Sequence, residues 1–168
     1  GFFDNVTAID ATPDCLRLVV GDETGEAKLV DTLTGEVLRS TKARTGRVRH
    51  VHVARDGSTA LIVLSSTFWI WDLNTGKIRG RFSKLPADAL ITTTTDESIA
   101  VAWSESNKCE LRWNLAEKRG GPFQTRSFDK MLQRDSCVAA SLDGRWFALP
   151  IRPDVQIVSQ QLGDGAQR

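Results

Sequence analysis

A spacing of about 42 residues recurs along the chain and constrains its fold more than any other feature. Aspartates in predicted turns follow this spacing: Asp14, Asp56, Asp96 and Asp143. A position that ends a predicted strand follows it too: Val30, Trp71, Trp113 and Val158. The separations lie between 40 and 47 residues, and the 168 residues of the chain make four such units. The sequence therefore predicts a repeat protein.

The most regular unit contains three short apolar runs separated by turn signals. The runs are Val48–Val53, Ala60–Leu64 and Phe68–Asp72, and the turns are Asp56-Gly57 and Thr75-Gly76. Runs of this length with β-branched residues favour strands, and Asp-Gly favours tight turns because glycine tolerates positive φ. A unit of this length with strands and turns matches one blade of a propeller. We expect an all-β fold, a β-propeller of four-stranded antiparallel blades.

The second unit resembles the WD-repeat (WD40-type) family, in which V-x-x-V-x-F-S-P-D-G precedes W-D-x-x-T-G. The residues on that pattern are Val48, Val51, Val53, Asp56, Gly57, Trp71, Asp72, Thr75 and Gly76. The first unit carries Val6, Ile9, Thr12, Pro13, Asp14, Asp31, Thr34 and Gly35. The third and fourth units match weakly, through Trp113 and through Asp143-Gly144. No unit has the family's histidine, so we expect its buried polar network to be incomplete.

The resemblance implies blades with approximate bounds of 5–42, 46–83, 87–128 and 135–162. It predicts outermost strands at Val37–Thr41, Ile78–Phe82 and Pro122–Phe128. The fourth blade lacks one, because Gly163–Arg168 is rich in glycine and polar residues. We therefore expect about four blades, an incomplete arc of a seven- or eight-bladed ring that further chain or a second copy completes.

Charge is balanced overall but uneven in one segment. The chain has 22 Lys and Arg and 21 Asp and Glu, a net charge of +1. Six cations and no acid lie between Glu36 and Asp56: Arg39, Lys42, Arg44, Arg47, Arg49 and Arg55. Arginine suits capture of carboxylate or phosphate. Candidate partner-binding residues are therefore Lys42, Arg44, Arg47, Arg49 and His50. A solvated loop is the alternative.

Candidate chemistry is sparse. His50 and His52 lie two apart on one strand, so they share a face and could bind a metal or act as a base. The alternative, which we favour, is that they are packed or exposed strand residues. The three cysteines are far apart and indicate neither a disulfide framework nor a metal site. Without nucleotide-binding or nucleophile motifs, we predict no catalytic residue, metal or cofactor.

The resemblance implies a non-enzymatic scaffold that binds other proteins, within a larger regulatory or signalling protein or complex. One alternative is a quinoprotein-like propeller enzyme or assembly factor, whose closing tryptophan would fall at Arg39 and Gly80 and is missing. Another is recognition of a phosphopeptide or RNA by the basic loop. Nucleic acid is not favoured, since no aromatic residue alternates with the cations. We expect no membrane span and a cytoplasmic or otherwise intracellular location.

Overall fold

The computed structural model describes residues 5–43, 46–93, 99–104, 106–107, 109–122, 124–127, 139–140, 146–151 and 154–159. These residues form strands joined by turns, with one 3-10 turn at Leu115–Glu117. The prediction of an all-β chain is confirmed. The described ranges contain no helix long and apolar enough to cross a membrane.

The described residues contain sixteen strands. In chain order they are β1 Val6–Ala11, β2 Arg17–Asp22, β3 Glu26–Asp31, β4 Val37–Lys42, β5 His50–Val53, β6 Thr59–Val63, β7 Thr67–Asp72, β8 Ile78–Ser83, β9 Leu90–Thr93, β10 Ile99–Ser104, β11 Cys109–Asn114, β12 Arg119–Gly120, β13 Gln124–Ser127, β14 Ala139–Ala140, β15 Trp146–Ile151 and β16 Asp154–Ser159. The strands predicted at Val37–Thr41 and Ile78–Phe82 are present as β4 and β8, and the one predicted at Pro122–Phe128 is narrower, as β13. β4 and β13 end their sheets as predicted, whereas the predicted outermost position of β8 is wrong, because β12 lies outside it.

Consecutive strands pair as antiparallel meanders. The first sheet has the order β1-β2-β3-β4, and the second has β12-β8-β7-β6-β5. These two sheets belong to one compact unit, Gly1–Ala87 with Leu115–Pro122. A second unit, Asp88–Asn114 with Phe123–Arg168, contains sheets ordered β13-β11-β10-β9 and β14-β15-β16. Short connections favour this topology, since antiparallel neighbours need only a tight turn.

The first and second sheets repeat each other in their hydrogen bonds. In the turn between the first two strands of the first sheet, Thr12 N donates to Arg17 O, and Ala54 N donates to Thr59 O one repeat later. In the turn after the third strand, Asp31 N donates to Glu36 O, as Asp72 N does to Lys77 O in the second sheet. The spacing seen in the sequence therefore extends to individual backbone contacts.

The two sheets of the first unit share a hydrophobic core. Trp69 and Trp71 lie on one face of β7, and Phe68 lies on the other, as strand alternation predicts. Phe68 stacks on Phe82 with ring centroids 4.8 Å apart. The buried cluster on the tryptophan face comprises Val19, Ala27, Leu29, Ala43, Val48, Val51, Val53, Ala60, Ile62, Leu64, Trp69, Trp71 and Leu73. Sheet-on-sheet packing of this kind stabilises the unit by removing apolar side chains from water.

The strand β12 has no counterpart in the sequence predictions. It pairs in parallel with β8, with Arg119 opposite Arg81 and Gly120 opposite Phe82. Arg81 N donates to Lys118 O over 2.8 Å. The second sheet is therefore extended beyond four strands by a segment from much later in the chain.

Several predicted features lie outside the described residues. They include the turn Asp143-Gly144, the turn aspartate Asp96, the cation Arg44 and the C-terminal residues 160–168. Within the described part of the second unit, Trp103 and Trp113 are 1% and 0% exposed. Both pack in the interior, as their places in strands predict.

Candidate interaction surface

Of the aspartates that follow the repeat spacing, the structure describes Asp14 and Asp56, and both use their carboxylates to build turns. Asp14 Oδ1 accepts hydrogen bonds from Leu16 N at 3.0 Å and from Thr12 Oγ1 at 2.6 Å. Asp56 Oδ1 accepts one from Ser58 N at 2.8 Å. These contacts are those of a side chain that pre-forms a turn.

A second pair of aspartates also accepts turn hydrogen bonds, after the third strand of the first sheet and of the second sheet. Asp31 Oδ1 accepts from Leu33 N and Thr34 N, each at 2.9 Å. Asp72 Oδ1 accepts from Asn74 N at 3.0 Å and Thr75 N at 2.7 Å. In each turn the following glycine has positive φ, 72° at Gly35 and 74° at Gly76.

Asp72 carries an additional ion pair. Its Oδ2 lies 2.8 Å from Arg79 Nε and 2.7 Å from Arg79 Nη2. The Thr75 N–H is the main cause that lowers the pKa of Asp72 to about 2, and Arg79 lowers it further.

The pKa of Asp14 is lowered chiefly by the Thr12 hydroxyl, and that of Asp56 by the Ser58 N–H. These carboxylates are held as anions that stabilise turns, which makes them poor proton donors at neutral pH.

Asp22 is a structural aspartate that the sequence reading missed. It is 1% exposed, and its Oδ1 accepts from Thr24 N, Thr24 Oγ1 and Glu26 N at 2.8–2.9 Å. Its main-chain oxygen accepts from Val48 N at 2.9 Å. The sequence contains a turn pattern at this place, Asp22-Glu-Thr-Gly25. It is similar to the Asp and Thr-Gly turns that begin at Asp31 and Asp72.

Trp71 is one of the largest fully buried side chains among the described residues. Its side chain is fully buried, and among the described residues no acceptor lies within hydrogen-bond distance of Nε1. The indole therefore contributes through apolar packing alone.

The basic segment, residues 42–50, leads from β4 to β5. Backbone contacts fix both of its ends, because Ala43 N donates to Gly25 O and Val48 N donates to Asp22 O, each at 2.9 Å. Val48 is fully buried over Gly21, where a Cβ would lie 2.3 Å from a Val48 methyl carbon. A glycine is required at residue 21 for this close approach.

The predicted partner-binding residues take different places in the basic segment. Lys42 and Arg47 are exposed, as is His50 at the start of β5. Arg49 is half-buried and donates from Nη1 to Ser65 O at 3.2 Å. Lys42 and Arg47 are the exposed cations in the described part of the basic segment, while the Arg49 side chain also contacts the main chain of Ser65.

The two histidines share one face of β5, as predicted, and one of them meets a carboxylate. His52 Nδ1 lies 3.5 Å from Asp10 Oδ2, which also accepts from Val53 N at 2.7 Å. Partial burial of the ring lowers the pKa of His50, and the neighbouring His52 lowers it further. Among the described residues, no three His, Cys, Asp or Glu side chains lie close enough together to hold a metal ion. Asp10 acts here as a polar link between β1 and β5.

Comparison with protein-family models and with curated proteins finds no match to this chain.

Proposed function

We propose that the chain is a segment of a WD-type β-propeller that serves as a non-enzymatic scaffold for binding other proteins. The observation that carries the proposal is the repetition of the first sheet in the second. Equivalent backbone hydrogen bonds recur at the repeat spacing, and strands follow the same order in both sheets. Repetition of this kind favours a platform of similar units over a single specialised site.

The packing of the first two sheets supports the proposal that further sheets of the same kind pack beside them. Val19 and Leu29 face the second sheet, and the repeat spacing makes Leu61 the equivalent of Val19. Leu61 lies on the side of the second sheet opposite Ile62 and Trp69. The second sheet therefore has buried apolar side chains on both of its sides, and one of these sides packs on the first sheet. A propeller arc uses this arrangement, and further chain or a second copy would complete the ring.

The use of the polar side chains supports scaffolding over catalysis. Turn N–H groups donate hydrogen bonds to the described turn carboxylates, so these carboxylates stabilise the fold. They are those of Asp14, Asp31, Asp56 and Asp72. The exposed cations Lys42 and Arg47 remain at the surface of an anchored segment. Loops held on a rigid scaffold are suited to recognition, and cations favour an acidic or phosphorylated protein segment.

Charge reversal tests the proposed function. Proteins captured from an extract of the cells that make this chain would be compared for three forms: the wild type, Lys42→Glu/Arg47→Glu and the control Arg55→Glu/Lys77→Glu. Both variants change the charge equally at exposed residues. We expect at least one partner to be captured by wild type and control, and lost with the first variant.

The binding affinity of the purified partner for each of the three forms is then measured directly. We expect the first variant to weaken binding about tenfold or more, and added salt to reduce the difference. Treating the partner with a phosphatase separates a phosphorylated segment from an acidic one. Equal binding by both variants across salt concentrations would contradict recognition through the basic segment.

A further inference from the structure

The edge of the second sheet shows how this fold accepts an additional strand. At β8, Arg81 N donates to Lys118 O at 2.8 Å, and Ser83 Oγ donates to Gly120 O at 3.3 Å. The incoming strand β12 is short and parallel. The outward backbone groups of β8 therefore recognise an extended segment through main-chain hydrogen bonds.

The strand β4 is the equivalent of β8 in the first sheet. Matching the pairing registers of the two sheets places Ser40 at the position of Arg81 and Lys42 at that of Ser83. Ala43 N donates inward to Gly25 O, so alternation along the strand turns the N–H groups of Ser40 and Lys42 outward. Ser40 thus holds the donor position that Arg81 uses to bind β12.

The edge of β4 is open among the residues that the structure describes. The strand lies at the end of the first sheet, and Leu38, Arg39, Ser40 and Lys42 are exposed. The sequence from Val37 to Arg47 contains cations and no acid. An unpaired edge with this charge attracts an extended chain of opposite charge.

We propose that the β4 edge binds an extended acidic segment of a partner protein as a parallel fifth strand, in the way that β12 adds to β8. Ser40 N–H donates to a carbonyl of the segment, and Ser40 C=O accepts from an N–H two residues further along. Lys42 pairs with an acidic side chain. The inference rests on the proposed scaffold function, and it specifies the conformation and charge of the partner.

The residue at position 39 limits how closely an added strand can approach that end of β4. At β8 a Cβ on Gly80 would lie 2.8 Å from the Phe82 ring and 3.0 Å from Lys118 O, so glycine avoids a close contact with the incoming strand as well as one within β8. The equivalent residue of β4 is Arg39. A strand on β4 therefore lies a few tenths of an ångström further out at that end, and its pairing runs from Ser40 toward Lys42.

A proline substitution tests the edge directly. Ser40→Pro removes the outward N–H and leaves the ladder with β3 intact, since proline is tolerated on edge strands. Ser40→Ala keeps the N–H and serves as the matched control. The probe is a labelled peptide of alternating glutamate and valine, about eight residues long, the length of an ordinary strand. Binding is followed by fluorescence anisotropy, with an alternating lysine and valine peptide as the charge control.

We expect the acidic probe to bind wild type and Ser40→Ala equally and Ser40→Pro about tenfold more weakly, as expected for the loss of one or two hydrogen bonds. The lysine peptide should not bind. Equal binding of the acidic probe to Ser40→Pro and Ser40→Ala, or its failure to bind wild type, would overturn the proposal.

Amide exchange on the wild-type chain keeps the test decisive if Ser40→Pro folds poorly. The acidic probe should slow exchange at Ser40 and Lys42 and leave Thr41 unchanged, because the Thr41 amide already faces β3. Absence of protection at Ser40 overturns the edge proposal. If Lys42→Glu/Arg47→Glu still reduces partner binding in the same series, the proposed scaffold function is supported even when the edge proposal fails. Failure of the edge proposal can therefore be distinguished from failure of the scaffold function.

Discussion

Two equivalent turns of the first unit hold different residues in the same left-handed backbone conformation. Gly57 has φ of 68°, and Cys15, one repeat earlier, has φ of 58°. Each amide donates to the oxygen three residues before it, Cys15 N to Thr12 O and Gly57 N to Ala54 O. Left-handed backbone is natural for glycine and costly for a residue with a Cβ. Exchanging residue types at these positions therefore isolates a backbone effect.

The structure separates that backbone effect from crowding. A Cβ on Gly57 would find its nearest neighbour at 3.5 Å, the Cδ of Pro13, which is ordinary contact. Gly57→Ala should thus incur only the left-handed penalty, roughly 1–2 kcal/mol, offset in part by the lower entropy of the unfolded alanine variant. We expect a net loss of about 1 kcal/mol, and a gain of about 0.5–1 kcal/mol for Cys15→Gly.

Urea unfolding followed by tryptophan fluorescence measures both changes. Cys15→Ser removes the thiol and keeps the Cβ, so its stability should stay close to that of wild type. Gly35→Ala provides a second control, since φ is 72° there and no atom lies within 4 Å of the added Cβ. It should destabilise the chain as Gly57→Ala does. The reasoning is refuted if Gly57→Ala leaves the midpoint unchanged or if Cys15→Gly lowers it.

Three further outcomes follow from buried and edge contacts. Trp71→Phe should lower the free energy of unfolding in urea by less than about 1.5 kcal/mol, because the substitution also removes a buried N–H that has no hydrogen-bond partner. A decrease above about 3 kcal/mol would contradict this. Asp72→Asn should destabilise at neutral pH, since the carboxylate binds Arg79. The lowered pKa of Asp72 means that this stabilisation is complete above the unfolded value of 3.8 and is lost as pH falls toward about 2, so the gap from wild type should close in acid urea titrations. Gly80→Ala should weaken β12 pairing, seen as faster exchange of the amide that donates to Lys118 O; unchanged exchange would count against the close approach.

Local patterns in the sequence predict much of the first unit. Alternation separates Trp69 and Trp71 from Phe68, because side chains on a strand point to opposite faces. Asp-Gly and Thr-Gly pairs predict turns, since glycine accepts the positive φ that each turn needs. These signals depend on neighbours in sequence, so the chain displays them directly.

Contacts between distant residues are the part that the sequence does not reveal. The strand β12 contains only Arg119 and Gly120, too short for any alternation, and it pairs with a strand from far earlier in the chain. Gly80 reads as a position where a tryptophan is missing, while in the fold it makes room for a main-chain oxygen. Arg49 reads as a free cation until its hydrogen bond to Ser65 is seen. Such roles depend on tertiary placement.

The first two sheets are equivalent units that share one hydrophobic core, and a nuclear Overhauser measurement tests this packing most directly. Gly21 lies in the first sheet, and Val48 packs on it from the segment that enters the second. We expect a strong cross-peak between a Gly21 α-proton and a Val48 methyl group. We also expect cross-strand peaks within the first sheet, such as those between residues of β2 and β3. Cross-strand peaks without the Gly21–Val48 peak would contradict this packing.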